Sequence, residues 1–345
     1  MRLLPIATTM TLLAAFALTA CTPPPADATV GAQANAPAPA PAPAPAPIVA
    51  TDDAACGMRL AFTATDANTA TGREPVWGQS QNPAAGPLIF GARLNVNTDG
   101  TRRSYSVDDP GGRIFALNNV CNAMAGYCQG LSASALAERF RVLRQARDEG
   151  WPANLLAQSR LSASVIPRRS DGRVCPEIEQ GGRRYLVSST ALADPRAGDT
   201  CSIDRYVDAL AVPALVLQGG SNGFTQRGVR VGDAVVAWRP GLTAPVFAVA
   251  GDTGPTDRLG EGSIALNGAL LRRTGEPANY LQVRSEYVVP RAHVLVFPGT
   301  RDSARPRITR DRVEAAARDA FVSWGGGSEA RAFARLQGCV AAMER

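Results

Sequence analysis

Pro245-Val-Phe-Ala-Val-Ala-Gly-Asp252-Thr-Gly-Pro-Thr-Asp257-Arg-Leu-Gly260-Glu261-Gly-Ser263 is the stretch on which the fold turns. Pro245 to Ala250 carries no charge and is rich in valine and phenylalanine, which predicts a buried strand ending at Gly251-Asp252. A turn is expected at Gly254-Pro255, with Gly260-Glu261 opening the next helix. One carboxyl therefore stands at each end of a tight loop. Glycines beside both acids let backbone and solvent approach without a Cβ in the way. Two such carboxyls can face a common cleft, where burial and an ionised neighbour raise the pKa of the one that keeps its proton. That is the division of labour between a general acid and a general base. A structural reading also fits the residues: Asp252 would cap the turn through the Gly254 N–H, and Glu261 would sit where a helix dipole favours an acid. Spacing alone leaves both open.

Outward from this stretch, short apolar runs alternate with Gly, Pro, Asn and Asp, the rhythm of a β-rich chain. Strands are expected at Tyr185 to Ser189, Val212 to Leu217 and Asp233 to Trp238, with a strand pair over Tyr287 to Phe297. Pro87 to Val96 alternates weakly and ends in the turn Asn97-Thr-Asp99-Gly100. Leu136, Phe140 and Leu143 recur at helical spacing, which predicts an amphipathic helix over Ser132 to Arg147 with a serine cap. Ser263 to Leu271 reads as a short buried helix. Thr309 to Trp324 reads as an amphipathic one, with Val313, Ala316, Ala320 and Phe321 on one face. Gly325-Gly-Gly327 stops it, and a last helix runs through Cys339. The class expected is β-rich α+β, a compact β-barrel with peripheral helices. Its strand–Asp-x-Gly-Pro–loop–helix order is similar to that of double-psi barrel enzymes.

The N-terminus has its own logic. Arg2 followed by the apolar run Leu3 to Ala20 has the form of a signal peptide. Leu18-Thr-Ala-Cys21 resembles the bacterial lipobox, which implies that Cys21 takes diacylglycerol before cleavage. Thr22 stands where an aspartate would signal inner-membrane retention, so the resemblance points to the outer membrane. Residues 1–20 are thus expected to be removed. Residues 21–50 hold the lipidated cysteine and an Ala/Pro-rich spacer, and residues 51–345 form the working domain. In a polyproline conformation the Ala-Pro repeat from Ala36 to Pro47 would extend roughly 35–40 Å at ~3.1 Å per residue.

Beyond Cys21 six cysteines remain, and an even number in an exported chain reads as disulfides. Of the fifteen connectivities that six cysteines allow, proximity favours Cys121 with Cys128 and Cys175 with Cys201, which would leave Cys56 and Cys339 to join the two ends of the domain. No C-x-x-C spacing suggests zinc, and no metal or cofactor is implied. The only histidine, His293, lies in an apolar run and reads as a strand residue, which disfavours a Ser-His-Asp or Cys-His system. The net charge is +6, carried by arginines dispersed among acids. That distribution argues against a nucleic-acid partner and mildly favours anionic neighbours such as lipid headgroups or wall polymers.

Asp252-Thr-Gly-Pro together with Gly260-Glu261-Gly-Ser-Ile-Ala-Leu resembles the central motif of glycoside hydrolase family 75, the fungal-type chitosanases and their bacterial relatives. Flanking segments resemble the family in the same order. These are Leu94 to Gly100 with Tyr105 and Asp108-Asp109, then Tyr185 to Leu192, Tyr206 to Leu217, and Ala320 to Gly326. The resemblance implies catalytic carboxylates at Asp252 and Glu261, and hydrolysis with inversion of β-1,4-linked glucosamine-containing polysaccharide. It leaves open which acid donates the proton, though an aspartate at a solvated turn is the better base. Asp99 and Asp257 are expected to bind substrate, and the protein to act as a monomer held to the membrane by its lipid. The loop from Asp252 to Glu261 is shorter than in the fungal enzymes, and a basic chain suits a polycationic substrate only if the cleft itself is acidic. A lipoprotein that binds cell-wall glycan without cutting it, or a purely structural envelope protein, would need no matched carboxyl pair.

Overall fold

A computed structural model of the chain describes residues 56–79 and 86–345. The expected signal peptide, Cys21 and the spacer lie outside the described residues. Among the described residues there are ten strands: β1 (Met58–Thr65), β2 (Arg73–Gln79), β3 (Leu88–Asn97), β4 (Ile178–Gln180), β5 (Arg183–Tyr185), β6 (Ala214–Leu217), β7 (Ala234–Trp238), β8 (Val246–Thr253), β9 (Glu261–Ser263) and β10 (Val289–Phe297). The α-helices are α1 (Ala133–Asp148), α2 (Ala153–Ser159), α3 (Gly223–Gln226), α4 (Ile264–Leu271), α5 (Tyr280–Glu286), α6 (Arg310–Trp324) and α7 (Glu329–Met343).

Eight strands pair in the order β1-β2-β3-β10-β7-β8-β6-β9, and β9 pairs back onto β3. The last pairing closes a six-stranded mixed barrel from β3, β10, β7, β8, β6 and β9, with β1 and β2 as an annex. β3 runs parallel to β9 and β6 parallel to β8, while the other barrel pairs are antiparallel. The expected barrel with helices outside it is what the chain forms.

Side-chain alternation fills this barrel. Leu88, Phe90, Ala92 and Leu94 of β3 point inward with Leu215, Val235, Ala248, Ala250 and Val294, and Leu266 and Leu270 of α4 join the same core. The opposite faces of these strands carry Ile89, Val236, Phe247 and Leu295. Phe321 and Trp324 of α6 and Leu336 of α7 cover them. A third core forms in the excursion between β3 and β6, from Tyr105, Val120, Met124, Leu143, Trp151, Ile166 and Leu186.

The helices start where expected. Ser132 Oγ accepts from the Ala135 N–H at 3.2 Å, and Ser263 Oγ accepts from the Leu266 N–H at 3.1 Å. The three disulfides pair Cys56 with Cys339, Cys121 with Cys128 and Cys175 with Cys201. They place the domain in an extracytoplasmic, oxidising compartment. Among the described residues no helix is long and apolar enough to cross a membrane.

Several expectations are corrected. Glu261 does not open a helix: it begins β9, held between Asn95 of β3 and Val216 of β6, and α4 starts three residues later. Tyr287 to Phe297 is one strand rather than two, because Tyr287 ends the short helix α5. Strand β5 stops at Tyr185, since beyond it Leu186 makes only an isolated bridge to Tyr105 and the Ser189 N–H turns to Val165 O. In α6 the buried stripe runs through Val313, Ala317, Phe321 and Trp324, so Ala317 takes the place expected for Ala316. β6 begins at Ala214 because Pro213 has no N–H to give a ladder. β8 runs on through Asp252 to Thr253, so the aspartate is a strand residue.

Candidate active site

A bulge aims Asp252. In the β6–β8 pair Ala250 faces Leu215 and Asp252 faces Val216, which leaves Gly251 as an extra residue with no partner on β6. Strict alternation would send Asp252 into the barrel behind Ala248 and Ala250. The extra residue reverses that parity and turns the carboxyl outward. Only glycine fits there, because a Cβ on residue 251 would stand 2.8 Å from Ala214 Cβ. The bulged carbonyl is not orphaned, as the Leu192 N–H donates to it at 2.9 Å.

Glu261 reaches the same face from the other side of β6. It pairs with Val216, the residue that Asp252 faces. Directly opposed residues on neighbouring strands share a face, and two strand spacings of ~4.8 Å place the α-carbons roughly 9.5 Å apart. Gly260 makes this entry possible. Its φ is +78°, and a Cβ there would lie 2.1 Å from the Arg93 carbonyl oxygen. The outward positions of β3 extend the face as a polar row of Arg93, Asn95, Asn97 and, just past the strand, Asp99.

Hydrogen bonding separates the two carboxyls. Asp252 Oδ1 accepts from the N–H groups of Ala191 at 2.9 Å and Thr253 at 2.8 Å, and Oδ2 accepts from Asn97 Nδ2 at 3.1 Å. Asp252 does not cap Gly254, whose N–H donates to Leu217 O. Burial raises the Asp252 pKa above the usual aspartate value, and these three donors oppose the rise. No hydrogen bond from the described residues reaches the Glu261 carboxyl. Burial first and the Asp252 charge second push its pKa up to about 7, with Arg258 pulling the other way. The pair thus holds one carboxyl suited to be ionised and one suited to keep its proton near neutrality.

Asp99 joins them. Burial pushes its pKa well above the usual range, with Asp252 adding to the rise, a hydrogen bond with Tyr105 opposing it and Glu261 adding a little more. Asp257 stands apart on the exposed loop, with its carboxylate 3.8 Å from Arg258 Nε. Asp109 is a structural staple, accepting from the N–H groups of Arg113, Ile114, Phe115 and Ala116. Asp108 is tied to Arg147 and Arg184. His293 lies buried in β10 with Nε2 3.0 Å from Glu344 Oε1, away from these groups. Among the described residues no group of three or more His, Cys, Asp or Glu side chains is placed to hold a metal ion.

Two contributors carry no clear mark in the sequence. Asn97 reads as a turn residue, yet it ends β3 and donates to Asp252. The Ala191 donor is a backbone N–H, which any residue but proline would supply. Compared with known proteins, the chain matches no family model, and no curated protein matches it in sequence.

Proposed function

We propose that this chain is an inverting glycoside hydrolase of the cell envelope that cleaves β-1,4-linked glucosamine-containing polysaccharide. The observation that carries the proposal is the pairing of Asp252 and Glu261 on either side of Val216, one carboxyl triply hydrogen-bonded and the other without a donor. The spacing of the α-carbons is compatible with the ~6.5–9.5 Å between carboxyl groups that leaves room for a water in inverting enzymes. Ionised Asp252 takes a proton from that water as its oxygen bonds to the anomeric carbon. The glycosidic C–O bond breaks, and Glu261 gives its proton to the leaving oxygen. Exchange with solvent then returns a proton to Glu261 and removes one from Asp252. The polar row of Arg93, Asn95 and Asn97 offers the hydrogen-bonding wall a sugar chain needs. Ionised Asp252 is the negative charge that a polycationic substrate would meet between the two neutral acids.

The resemblance of the Asp252 and Glu261 segments to family 75 glycoside hydrolases supports the substrate class, the lipobox-like segment ending at Cys21 supports a lipid anchor, and Thr22 after it favours the outer membrane. Asp257, on the exposed loop between the two acids, would meet the substrate from outside. No step needs a cofactor.

Reducing-end release from chitosan and partly acetylated chitosan tests the reading. Wild-type protein should release reducing ends with inversion visible by proton NMR, and Asp252→Asn and Glu261→Gln should each lower the rate by at least about 10³-fold. Full activity in either variant would end the assignment. Tight binding with no turnover by wild type would favour the glycan-binding lipoprotein, since the same polar row serves a binder equally well.

A further inference from the structure

Behind the Asp252 carboxyl lies a small cavity, with about 10 Å³ open to the centre of a water molecule. That is close to the least a single buried water requires. Its wall is mostly apolar, from Val207, Ala209, Ala214, Leu215 and Val216, and its polar members are few. Ser263 and Thr190 are already engaged. Ser263 Oγ donates to Val212 O and accepts from two N–H groups, and Thr190 Oγ1 donates to Leu192 O and accepts from the Val207 N–H. Asn97 uses its oxygen to accept from the Asp99 N–H and its amide to hold Asp252. Asn97 keeps its second amide hydrogen, and two carboxyl oxygens on this wall keep unused capacity as acceptors. Asp252 Oδ2 accepts a single bond, and Asp99 Oδ1 is wholly shielded from solvent with no partner at all. A buried carboxyl oxygen left in that state carries its desolvation cost uncompensated, so a partner at this spot is favoured.

We propose that Asp99 is a positioning residue of the site, which donates its proton to one water lodged in this cavity, and that the water in turn donates to Asp252. The direction of the chain follows from its far end. Asn118 Nδ2 donates to the Tyr105 hydroxyl at 3.0 Å, which leaves the phenol proton for its hydrogen bond with Asp99. One Asp99 oxygen therefore accepts, and Oδ1 carries the proton into the cavity. Two carboxyls on one small cavity do not both ionise, and Asp252, with three donors of its own, is the one that does. The titratable groups that act on Asp99 are Asp252, Glu261 and Tyr105, and the two acids favour its neutral form. Asp99 thus adds a fourth, water-borne hydrogen bond to the ionised base without adding a charge beside it.

The inference rests on Asp252 as the ionised member of the pair, but not on what the groove cuts, so its test needs no turnover. Infrared spectra of the full protein at neutral pH should show, beside any band that Glu261→Gln removes, a protonated carboxyl band that Asp99→Asn removes and Glu261→Gln leaves. Carbon-13 NMR titration of Asp252 gives the sign. Asp99→Asn keeps a neutral donor and should leave the Asp252 midpoint in place, whereas Asp99→Ala loses the donor and should raise it by about half to one pH unit. No such band, a midpoint that falls in either variant, or one that does not move in Asp99→Ala overturns the proposal. A fall is what removal of a charged neighbour would give. If Asp99→Ala does not fold, the band and the Asp99→Asn midpoint still decide. Correct titrations with no glycan cleavage would remove the hydrolase reading and leave this one standing.

Discussion

A carboxyl that accepts three hydrogen bonds and one that accepts none hold their protons differently, and Asp252 and Glu261 differ in this way on one face of the barrel. The rate of glycan cleavage should therefore fall as pH rises through about 7, where Glu261 loses the proton it must donate, and fall again on the acid side as Asp252 gains one. Two coupled carboxyls titrate as a pair, so the limbs of such a profile belong to both. Stability carries the same signature. The Glu261 pKa is raised in the folded state, so its contribution is fully present below the ordinary glutamate value of 4.5 and is lost as pH rises through about 7. Glu261→Gln does not ionise and escapes that loss. Its stability relative to wild type should improve by roughly 1–3 kcal/mol between about pH 4 and pH 8, measured by denaturant unfolding at each pH. A constant difference across that range would mean that Glu261 titrates like an exposed acid.

At the level of elements, the site depends on Gly251. Deleting that residue would restore strict alternation along β8 and point Asp252 into the core beside Ala248 and Ala250. The deletion should abolish activity and lower stability by about 3 kcal/mol or more, as an unpaired buried carboxyl requires. A folded, active deletion variant would show that another feature aims the acid. The strand itself is legible in the sequence from Val246 to Ala250, and so are Ser132 and Ser263 as helix caps. The bulge is not, because an apolar run followed by Gly-Asp looks the same whether the glycine ends a strand or sits in it as an extra residue. Glu261 is hard to place for a related reason. A three-residue strand has too short a pattern to register, and the cap that marks α4 draws the expected helix start toward it. What fixes β9 is pairing with β3, where Glu261 faces Asn95 from 166 residues further along the chain, which local patterning does not record.

The described domain joins its first residue to its last helix. Cys56 and Cys339 are 283 residues apart, and chain-entropy reasoning gives such a loop about 5–6 kcal/mol, before any strain reduces it. Cys339→Ser should cost about 2–5 kcal/mol in denaturant unfolding, and reducing agent should then lower the melting temperature much less than in wild type. An unchanged stability would mean that α7 docks without its bond. Cysteine count and proximity make this framework readable in the sequence. The excursion between β3 and β6 is harder to read, because its core joins α1 to irregular segments and to elements as short as α2, β4 and β5. Yet that excursion delivers Asp99, Tyr105 and the Ala191 N–H to the neighbourhood of the two acids. Asp252 and Glu261 are visible as a pair in one loop, but the groups that set their proton affinities come from distant parts of the chain.

Site-specific carbon-13 NMR titration of the Glu261 carboxyl, in wild type and in Asp252→Asn, puts the split between the two acids to the test. The wild-type midpoint should lie near 7 and move down once the Asp252 charge is gone. A midpoint in the ordinary glutamate range near 4.5, unmoved by Asp252→Asn, would contradict the pairing of acid and base on which the proposed chemistry stands.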